Sequence, residues 1–374
     1  MDSPISRQNA IQPISLIIED DSNSYWPEGP AETGKSFILN LIIKDFSKRK
    51  HKYLLMAPTG VAAQNIGEET IHSSLIIHET LGELLSFISD MFSVIKQQTV
   101  AFGGLNVILV GDLAQFPPVS GSPVYRSSEW KLFYPLFLKK PQRQNHDMQY
   151  YEVLQEIRFG QISSRTWNIL HQKAISYHRS LDAILNVTNI VGYKQTADRL
   201  TIIFVTFYLL MKTNLFWSLR VRLQQGARVM YLKNDIMEQN VCNGTIGVIT
   251  DINISCFEVR IAFSVIGGIV DVGIKRHFDT FIVNGKPSSR YQFPLQNAFA
   301  LTVHKTQGLT LPEISVCLNQ QIFAAGQAYV ALSKCSDWSK VNISSIHPSA
   351  FITDMSMVEE YKRLERKAST HLPL

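Results

Sequence analysis

Two apolar runs in the first third of the chain end in polar or glycine-bearing turns. Tyr53-Leu54-Leu55-Met56 leads into Ala57-Pro58-Thr59-Gly60, and Val107-Ile108-Leu109-Val110 leads into Gly111-Asp112. Short unbroken apolar runs that stop this way predict buried parallel strands ending at a ligand-binding edge. Residues 83–96 and 148–158 carry helical character instead, so the texture is α/β. From about residue 221 to 293, β-branched segments punctuated by glycine take over, at 226–230, 243–249, 257–263 and 268–273. That spacing predicts a small β-barrel. The α/β texture then returns through Leu374, which makes the barrel an insertion within a second α/β unit.

With 374 residues the chain is long enough for two or three domains, and its 45% hydrophobic and 18% charged content is that of a soluble globular protein. A net charge of +5 permits an anionic partner without demanding one. The basic runs at 48–52 and 362–367 read as solvated faces. Cys242, Cys256, Cys317 and Cys335 are far apart and lack the spacing of a zinc site, which fits a reducing intracellular compartment. The apolar run 200–211 is cut by Lys212 well short of the roughly 20 residues a membrane helix needs. No membrane span is expected, and residues 1–10 have no secretory-signal pattern.

Gly29-Pro30-Ala31-Glu32-Thr33-Gly34-Lys35-Ser36 satisfies the P-loop pattern G-x-x-x-x-G-K-[ST], and residues 37–42 continue as a plausible helix. Such a loop cradles phosphates with backbone N–H groups, balances the β/γ charge with its lysine and offers its serine to magnesium. Asp112 and Gln115, at the exit of the predicted strand 107–110, put an acid and an amide where they could sense a γ-phosphate. A simple turn with a solvated Asp is the plainer alternative.

With these come further blocks: Ala57-Pro58-Thr59-Gly60-Val61-Ala62-Ala63, Thr70-Ile71-His72-Ser73, Gly111 to Val119, Arg143-Gln144, Gln155-Glu156-Ile157-Arg158-Phe159-Gly160, Ala300 to Thr310 with Val303-His304-Lys305-Thr306-Gln307-Gly308 at its centre, and Tyr329-Val330-Ala331-Leu332-Ser333-Lys334. In this order the set resembles the motifs of Pif-type, RecD-like DNA helicases over nearly the whole chain. The resemblance implies an α/β fold of two RecA-like P-loop NTPase domains with an SH3-like β-barrel inserted in the second. The corresponding bounds are 1–140 for the first domain, 141–220 with 294–374 for the second, and 221–293 for the barrel. It implies ATP and Mg2+ as cofactors, single-stranded DNA and duplex junctions as partners, and ATP-dependent 5′-to-3′ unwinding in DNA repair, recombination and telomere maintenance, in the nucleus or mitochondrion. Carried over residue by residue, Gln8 would read adenine, and Gly29, Thr33, Gly34, Lys35 and Ser36 would hold the nucleotide, with Ser36 on the metal. Glu79, Gln115, Arg143 and Lys334 would act on or report the γ-phosphate. Thr59, His72, His304, Lys305 and Thr310 would contact the DNA strand.

The chain also departs from this pattern. Glu32 stands where the family usually has glycine. A side chain forced to φ > 0 costs on the order of 1 kcal/mol, and a carboxylate ~6 Å from phosphate adds roughly 2–3 kcal/mol of repulsion at an effective dielectric near 20. The family's Asp-Glu pair, which serves magnesium and the attacking water, appears as His78-Glu79, and histidine supplies no anionic oxygen for a hard cation. The pair also follows Thr70-Ile71-His72-Ser73 almost at once. A parallel crossover takes about 10–12 residues, so a segment is expected to be missing before a strand at 75–77. The run 201–219 does not match the family, and Lys334 replaces an arginine, losing its bidentate fork. A catalytically impaired single-stranded-DNA-binding remnant and a different P-loop enzyme such as a nucleotide kinase are the alternatives. The kinase reading gives no reason for the His304-Lys305 block.

Overall fold

The computed structural model describes residues 24–28, 35–57, 69–75, 84–116, 121–138, 147–177, 187–211, 215–217, 222–265, 268–283 and 286–371. In the first part, β1 (Ser24–Glu28) leads toward the P-loop and α1 (Lys35–Arg49) starts on its lysine. Ile38 and Ile42, one turn apart, are the buried stripe of α1. Lys48 and Arg49 occupy its last turn, where cations complement the helix dipole, and Arg49 pairs with Asp45 at 2.9 Å. The basic stretch that follows is exposed, as a solvated face should be.

Next come β2 (Met56–Ala57), which pairs in parallel with β3 (Glu69–Thr70), then α2 (Ile71–Ser74) and α3 (Leu84–Lys96). The expected helix at 83–96 is therefore present. Two strand expectations need correction. Of Tyr53–Met56 only Met56 is in a strand, and Tyr53 and Leu54 are 40% and 57% exposed, with the Tyr53 ring against Phe46 at 6.1 Å. Residues 107–110 are half-buried and form no strand: Ile108 and Gly111 make single bridges. The partner that β1 takes is instead β4 (Phe133–Phe137), in parallel, in register from Ser24 with Phe133 to Glu28 with Phe137. Leu75 is in a turn, and the rest of the expected strand at 75–77 lies outside the described residues.

The second part opens with α4 (Met148–Phe159), capped by the Asp147 carboxylate on the Tyr150 N–H and closed by Gly160 at φ 67, and α5 (Ser164–Ile175). A four-stranded, all-parallel sheet follows. It is built from β5 (Thr188–Val191), which continues into α6 (Lys194–Met211), and from the later β15 (Ala300–Thr302), β16 (Ile314–Leu318) and β17 (Val341–Ile346), in the order β15-β5-β16-β17. The unfamiliar run 201–219 thus continues helix α6 and includes β6 (Leu215–Trp217).

Between β5 and β15 lies antiparallel structure: β6 paired with β7 (Arg222–Gln224), then β8 (Arg228–Tyr231), β9 (Ile246–Asn253), β10 (Glu258–Val265), β11 (Gly268–Lys275), β12 (His277–Val283), β13 (Lys286–Gln292) and β14 (Leu295–Asn297). Five of them form a sheet in the order β11-β10-β9-β8-β14, and β12 and β13 pair with each other as a ribbon. Among the described residues no pairing joins β11 to β14, because the chain leaves β11 straight into the ribbon. The inward positions Val259, Ile261 and Phe263 pack with Leu223 and Val229 and with Ala197 and Phe204 of α6. The insertion therefore shares a core with the second part. Residues 327–332 form α7 (Gln327–Leu332), and α8 (Met355–His371) closes the chain.

Helix α8 belongs in sequence to the second part but packs on both. Leu364 is buried with Leu85, Phe102, Trp130 and Phe133 of the first part. The Trp130 indole donates to Glu360 at 2.7 Å, and Lys367 donates to the Phe133 carbonyl at 2.8 Å. Among the described residues no helix is long and apolar enough to cross a membrane, and no group of three or more His, Cys, Asp or Glu side chains could hold a metal.

Candidate nucleotide site and nucleic-acid interface

The turn Gly111 to Phe116 is where the two parts meet. Its Asp112 folds back on itself as an Asx turn, accepting from the Ala114 N–H at 3.1 Å. The carboxylate then reaches outward. Arg158 of α4 pairs with it at 2.9 Å, with side chains 3% and 0% exposed. Tyr329 of α7 donates to its other oxygen at 3.0 Å, and Tyr361 of α8 donates to the first at 3.3 Å. Arg158 also donates to the Tyr361 hydroxyl, and its guanidinium lies over the Tyr361 and Phe159 rings at 4.7 and 4.9 Å. Burial by itself would raise the Asp112 carboxyl. The Arg158 charge, the Lys35 charge and the hydrogen bonds from Arg158 and Ala114 together outweigh it, and hold the group below the ordinary carboxylate value.

This corrects one expectation. The plainer alternative of a turn with a solvated Asp is overturned, because the Asp112 side chain is 0% exposed and its carboxylate is paired internally with Arg158. The neighbouring Gln115 amide donates to the same carboxylate at 3.4 Å, so the phosphate-sensing residue implied by the resemblance is held by Asp112. Lys35, at the N-terminus of α1, is close enough for its charge to act on Asp112. The P-loop lysine and the Gly111–Phe116 turn are thus brought together.

On the other side of the turn is a row of rings. Phe116 stacks on His304, with centroids 4.3 Å apart and planes 13° from parallel. His304 stacks in turn on Phe323 at 6.2 Å and 28°, and Phe323 on Tyr193 at 5.4 Å and 16°. Local folding puts His304 there. Val303 and Thr306 are fully buried, and the Thr306 hydroxyl donates to the Val303 carbonyl at 2.7 Å, so the two residues between them are turned outward. Phe323 and Tyr193, at the end of the row, are 53% and 46% exposed. Contact with the rings desolvates His304 and lowers its pKa. Lys305 beside it donates to Gln296, and its pKa is lowered by burial and then by the Lys194 charge. Thr310 is exposed on the same loop.

Gly326 holds the row's far loop against the turn. At φ +73 it is left-handed, and a Cβ there would lie 2.4 Å from the Ala114 carbonyl oxygen and 2.9 Å from that of Gln115. Only glycine satisfies both demands. Lys334, after α7, is buried, and its carbonyl accepts from the Leu311 N–H at 2.8 Å.

Of the residues expected in the site, Lys35, Gln115, His304, Lys305, Thr310 and Lys334 are described. Ser36 and His72 are placed by backbone only, in α1 and α2. Gln8, Gly29, Thr33, Gly34, Thr59, His78, Glu79 and Arg143 lie outside the described residues, as does Glu32. Sequence reasoning gave no role to Arg158 or Tyr329, although both stand inside recognised blocks. It passed over Tyr193, Phe323 and Tyr361 altogether, which belong to no block and meet the site only in three dimensions.

The PIF1-like helicase family model matches residues 6–86. The human ATP-dependent DNA helicase PIF1 is 26% identical over 401 residues, which take in 92% of this chain and 62% of the human protein. The helicase Pif1 of Bdellovibrio bacteriovorus is 26% identical over 394 residues, covering 90% of this chain and 88% of the bacterial protein. The chain thus spans about three fifths of the length of the human relative, and most of the bacterial one. Among solved structures, Pif1 helicase from Candida albicans superposes with a TM-score of 0.77 at 22% identity, covering 97% of this chain and 99% of that one. Pif1 from Bacteroides in complex with ADP-AlF3 and ssDNA gives 0.75 at 23%, covering 96% and 97%. The two parallel-sheet parts accordingly have the two-domain architecture of those helicases.

Proposed function

Because this chain is a homologue of the Pif-type helicases in both sequence and fold, we propose that it grips single-stranded DNA across its two motor domains as an ATP-dependent, 5′-to-3′ helicase of that type. The observation that carries the reading is the ring row. Phe116 comes from the first domain and His304, Phe323 and Tyr193 from the second, so bases stacked along it would be held by both. Stacking on ring faces tolerates any base, which suits an enzyme that must travel along a strand. His304, Lys305 and Thr310 would face the backbone with Thr59 and His72, and opening and closing of the two domains would alternate their grip.

For the nucleotide, the residues present fit in part. Lys35 at the start of α1 offers a cation beside a helix N-terminus, the usual cradle for phosphates, with Ser36 next to it as the metal's hydroxyl. Bound ATP would supply the free energy of the cycle. Gln115, Arg143 and Lys334 would report the γ-phosphate to the domain interface. We place the domains at 1–140, 141–220 with 294–374, and 221–293, reading the inserted sheet with its ribbon as an SH3-like barrel. Work on duplex junctions in repair, recombination and telomere maintenance, in nucleus or mitochondrion, goes with this assignment.

Glu32 in the P-loop and His78 in place of the metal-binding Asp favour a second reading, a single-stranded-DNA-binding remnant with weakened hydrolysis. One pair of measurements separates them. Fluorescence anisotropy with unrelated oligonucleotides should show binding without strong sequence preference that weakens as salt rises, by counterion release. Salt-independent binding, or none, would remove both readings. Magnesium-dependent ATP hydrolysis stimulated by the oligonucleotide keeps the helicase, and its absence leaves the remnant.

A further inference from the structure

Between β16 and α7 the chain runs through a short loop, residues 319–326, that carries Phe323. A ring that is 53% exposed takes little of its orientation from core packing, so the loop backbone has to set it. One side chain does most of this. Gln327, the first residue of α7 and 0% exposed, turns back on the loop, and its Oε1 accepts from the N–H groups of Phe323 at 2.9 Å and Ala324 at 3.2 Å. Its own backbone N–H donates to the Ala324 carbonyl at 3.3 Å. The loop is thereby closed on itself at the residue that bears the ring. Upstream, the Asn319 side chain accepts from the Gln321 N–H and its carbonyl from the Ile322 N–H, both at 3.0 Å, and Ile322 is buried in the second domain's core.

This service has a cost. The Gln327 Nε2 is buried with no hydrogen-bond partner among the described residues, whereas a methionine would fill the same space without burying a donor. What the amide adds over an apolar side chain is its oxygen, held on two successive backbone N–H groups. From the other side the loop meets Gly192, which follows β5 directly and precedes Tyr193. A Cβ at Gly192 would lie 1.9 Å from the Gln321 carbonyl oxygen and 2.5 Å from its carbon, backbone atoms that cannot swing aside. Glycine therefore lets the loop lie on the end of β5, where the Phe323 ring comes to 5.4 Å from the Tyr193 ring and within 16° of parallel. A buried amide and a missing side chain together fix two exposed rings as one parallel pair.

We propose that Gln327 is a positioning residue for base stacking: by holding the Phe323 and Ala324 N–H groups it presets Phe323 against Tyr193 as a platform for single-stranded nucleic acid, in the space that Gly192 leaves. The proposal rests on the reading above that bases stack along the ring row, and deepens it by naming what orients the rings. Rings already held in place lose less freedom on binding than rings that the strand itself must order. Releasing the loop therefore weakens binding even though both rings remain in the chain.

The test uses the full chain and the variants Gln327→Met, which keeps the side chain's length and removes the acceptor, Gly192→Ala, Phe323→Ala, and each of the first two combined with Phe323→Ala. Oligo-dT affinity is read by fluorescence anisotropy and folding by a melting curve on the same preparations. Gln327→Met and Gly192→Ala should each weaken oligo-dT binding about fivefold or more. On the Phe323→Ala background the same substitutions should change affinity by less than about twofold, because their effect passes through that ring. A merely structural role would weaken binding equally on both backgrounds, and that result would overturn the proposal, as would undiminished affinity in Gln327→Met. Should Gln327→Met not fold, Gly192→Ala and its combination with Phe323→Ala give the same two outcomes from the other side of the loop. An unchanged affinity in Phe323→Ala alone would instead bring down the ring-row reading itself.

Discussion

At the scale of single residues, the buried pair of Asp112 and Arg158 is the most exacting feature of this chain. Removing one partner leaves an uncompensated charge in a site whose side chains are 0% and 3% exposed. Arg158→Ala is therefore expected to cost about 3–5 kcal/mol, read as a lowered midpoint in chemical denaturation. His304 gives a pH signature of opposite character. Burial against Phe116 and Phe323 disfavours the charged imidazolium and lowers its pKa from the ordinary value of 6.5. Below that value the unfolded chain binds the proton more readily than the folded one. The stability contributed by the neutral stack is thus fully present above pH ~6.5 and is lost as pH falls through the depressed folded value. His304→Phe, which keeps the stack without the titration, should show a shallower fall in melting temperature between pH 7 and pH 5 than the unsubstituted chain. Equal slopes would mean that other histidines carry the dependence.

At the scale of elements, α8 acts as a strap from the second domain onto the first. Its Leu364 is 1% exposed within the cluster of Leu85, Phe102, Trp130 and Phe133, so Leu364→Ala leaves a cavity in the first domain's core and should cost about 2–5 kcal/mol. Limited proteolysis should show earlier cutting in the first domain, around α3, than in the parallel sheet of the second. The reach of this helix was not legible in the sequence, where residues 362–367 read only as a charged face. Its apolar positions have helical spacing, but spacing gives the face and not the partner. The helical stretches read at 83–96 and 148–158 were legible because helical character acts locally; the Asp147 cap and Gly160 fix the ends of the second. The strand expected at 107–110 failed for the complementary reason. An apolar run states that a segment is to be covered, whereas strand pairing depends on which neighbour claims the sheet edge, and β1 pairs with β4.

At the scale of the whole molecule, the proposed strand path along the ring row would make DNA binding a property of both domains at once. Phe323→Ala opens the row at a ring that touches both His304 and Tyr193 without entering any buried core. Base stacking on aromatic side chains is worth about 1–3 kcal/mol per base, so oligonucleotide affinity should fall by roughly 5- to 150-fold with thermal stability nearly unchanged. Anisotropy titration and a melting curve on the same preparation check this. A stable variant with undiminished affinity would place the strand elsewhere.

The sequence by itself determined the family resemblance with its His304-Lys305 block, the α/β texture, and the P-loop lysine at the head of a helix. Each rests on local chemistry: ordered motifs, short apolar runs, a glycine pattern ahead of a helix start. It also shows Glu32 and His78, whose consequence is stated by charge alone. The tertiary structure decided which of these groups meet. Asp112 read either as an acid near a γ-phosphate or as a solvated turn residue because only its sequence neighbours were in view, and it is an ion-pair hub because Arg158, Tyr329 and Tyr361 arrive from 46, 217 and 249 residues away. Phe323 and Tyr193 carry no motif and acquire a role only through the stack they complete. Contacts of that separation are selected by how the cores of two domains pack, and no short-range pattern in the chain encodes them.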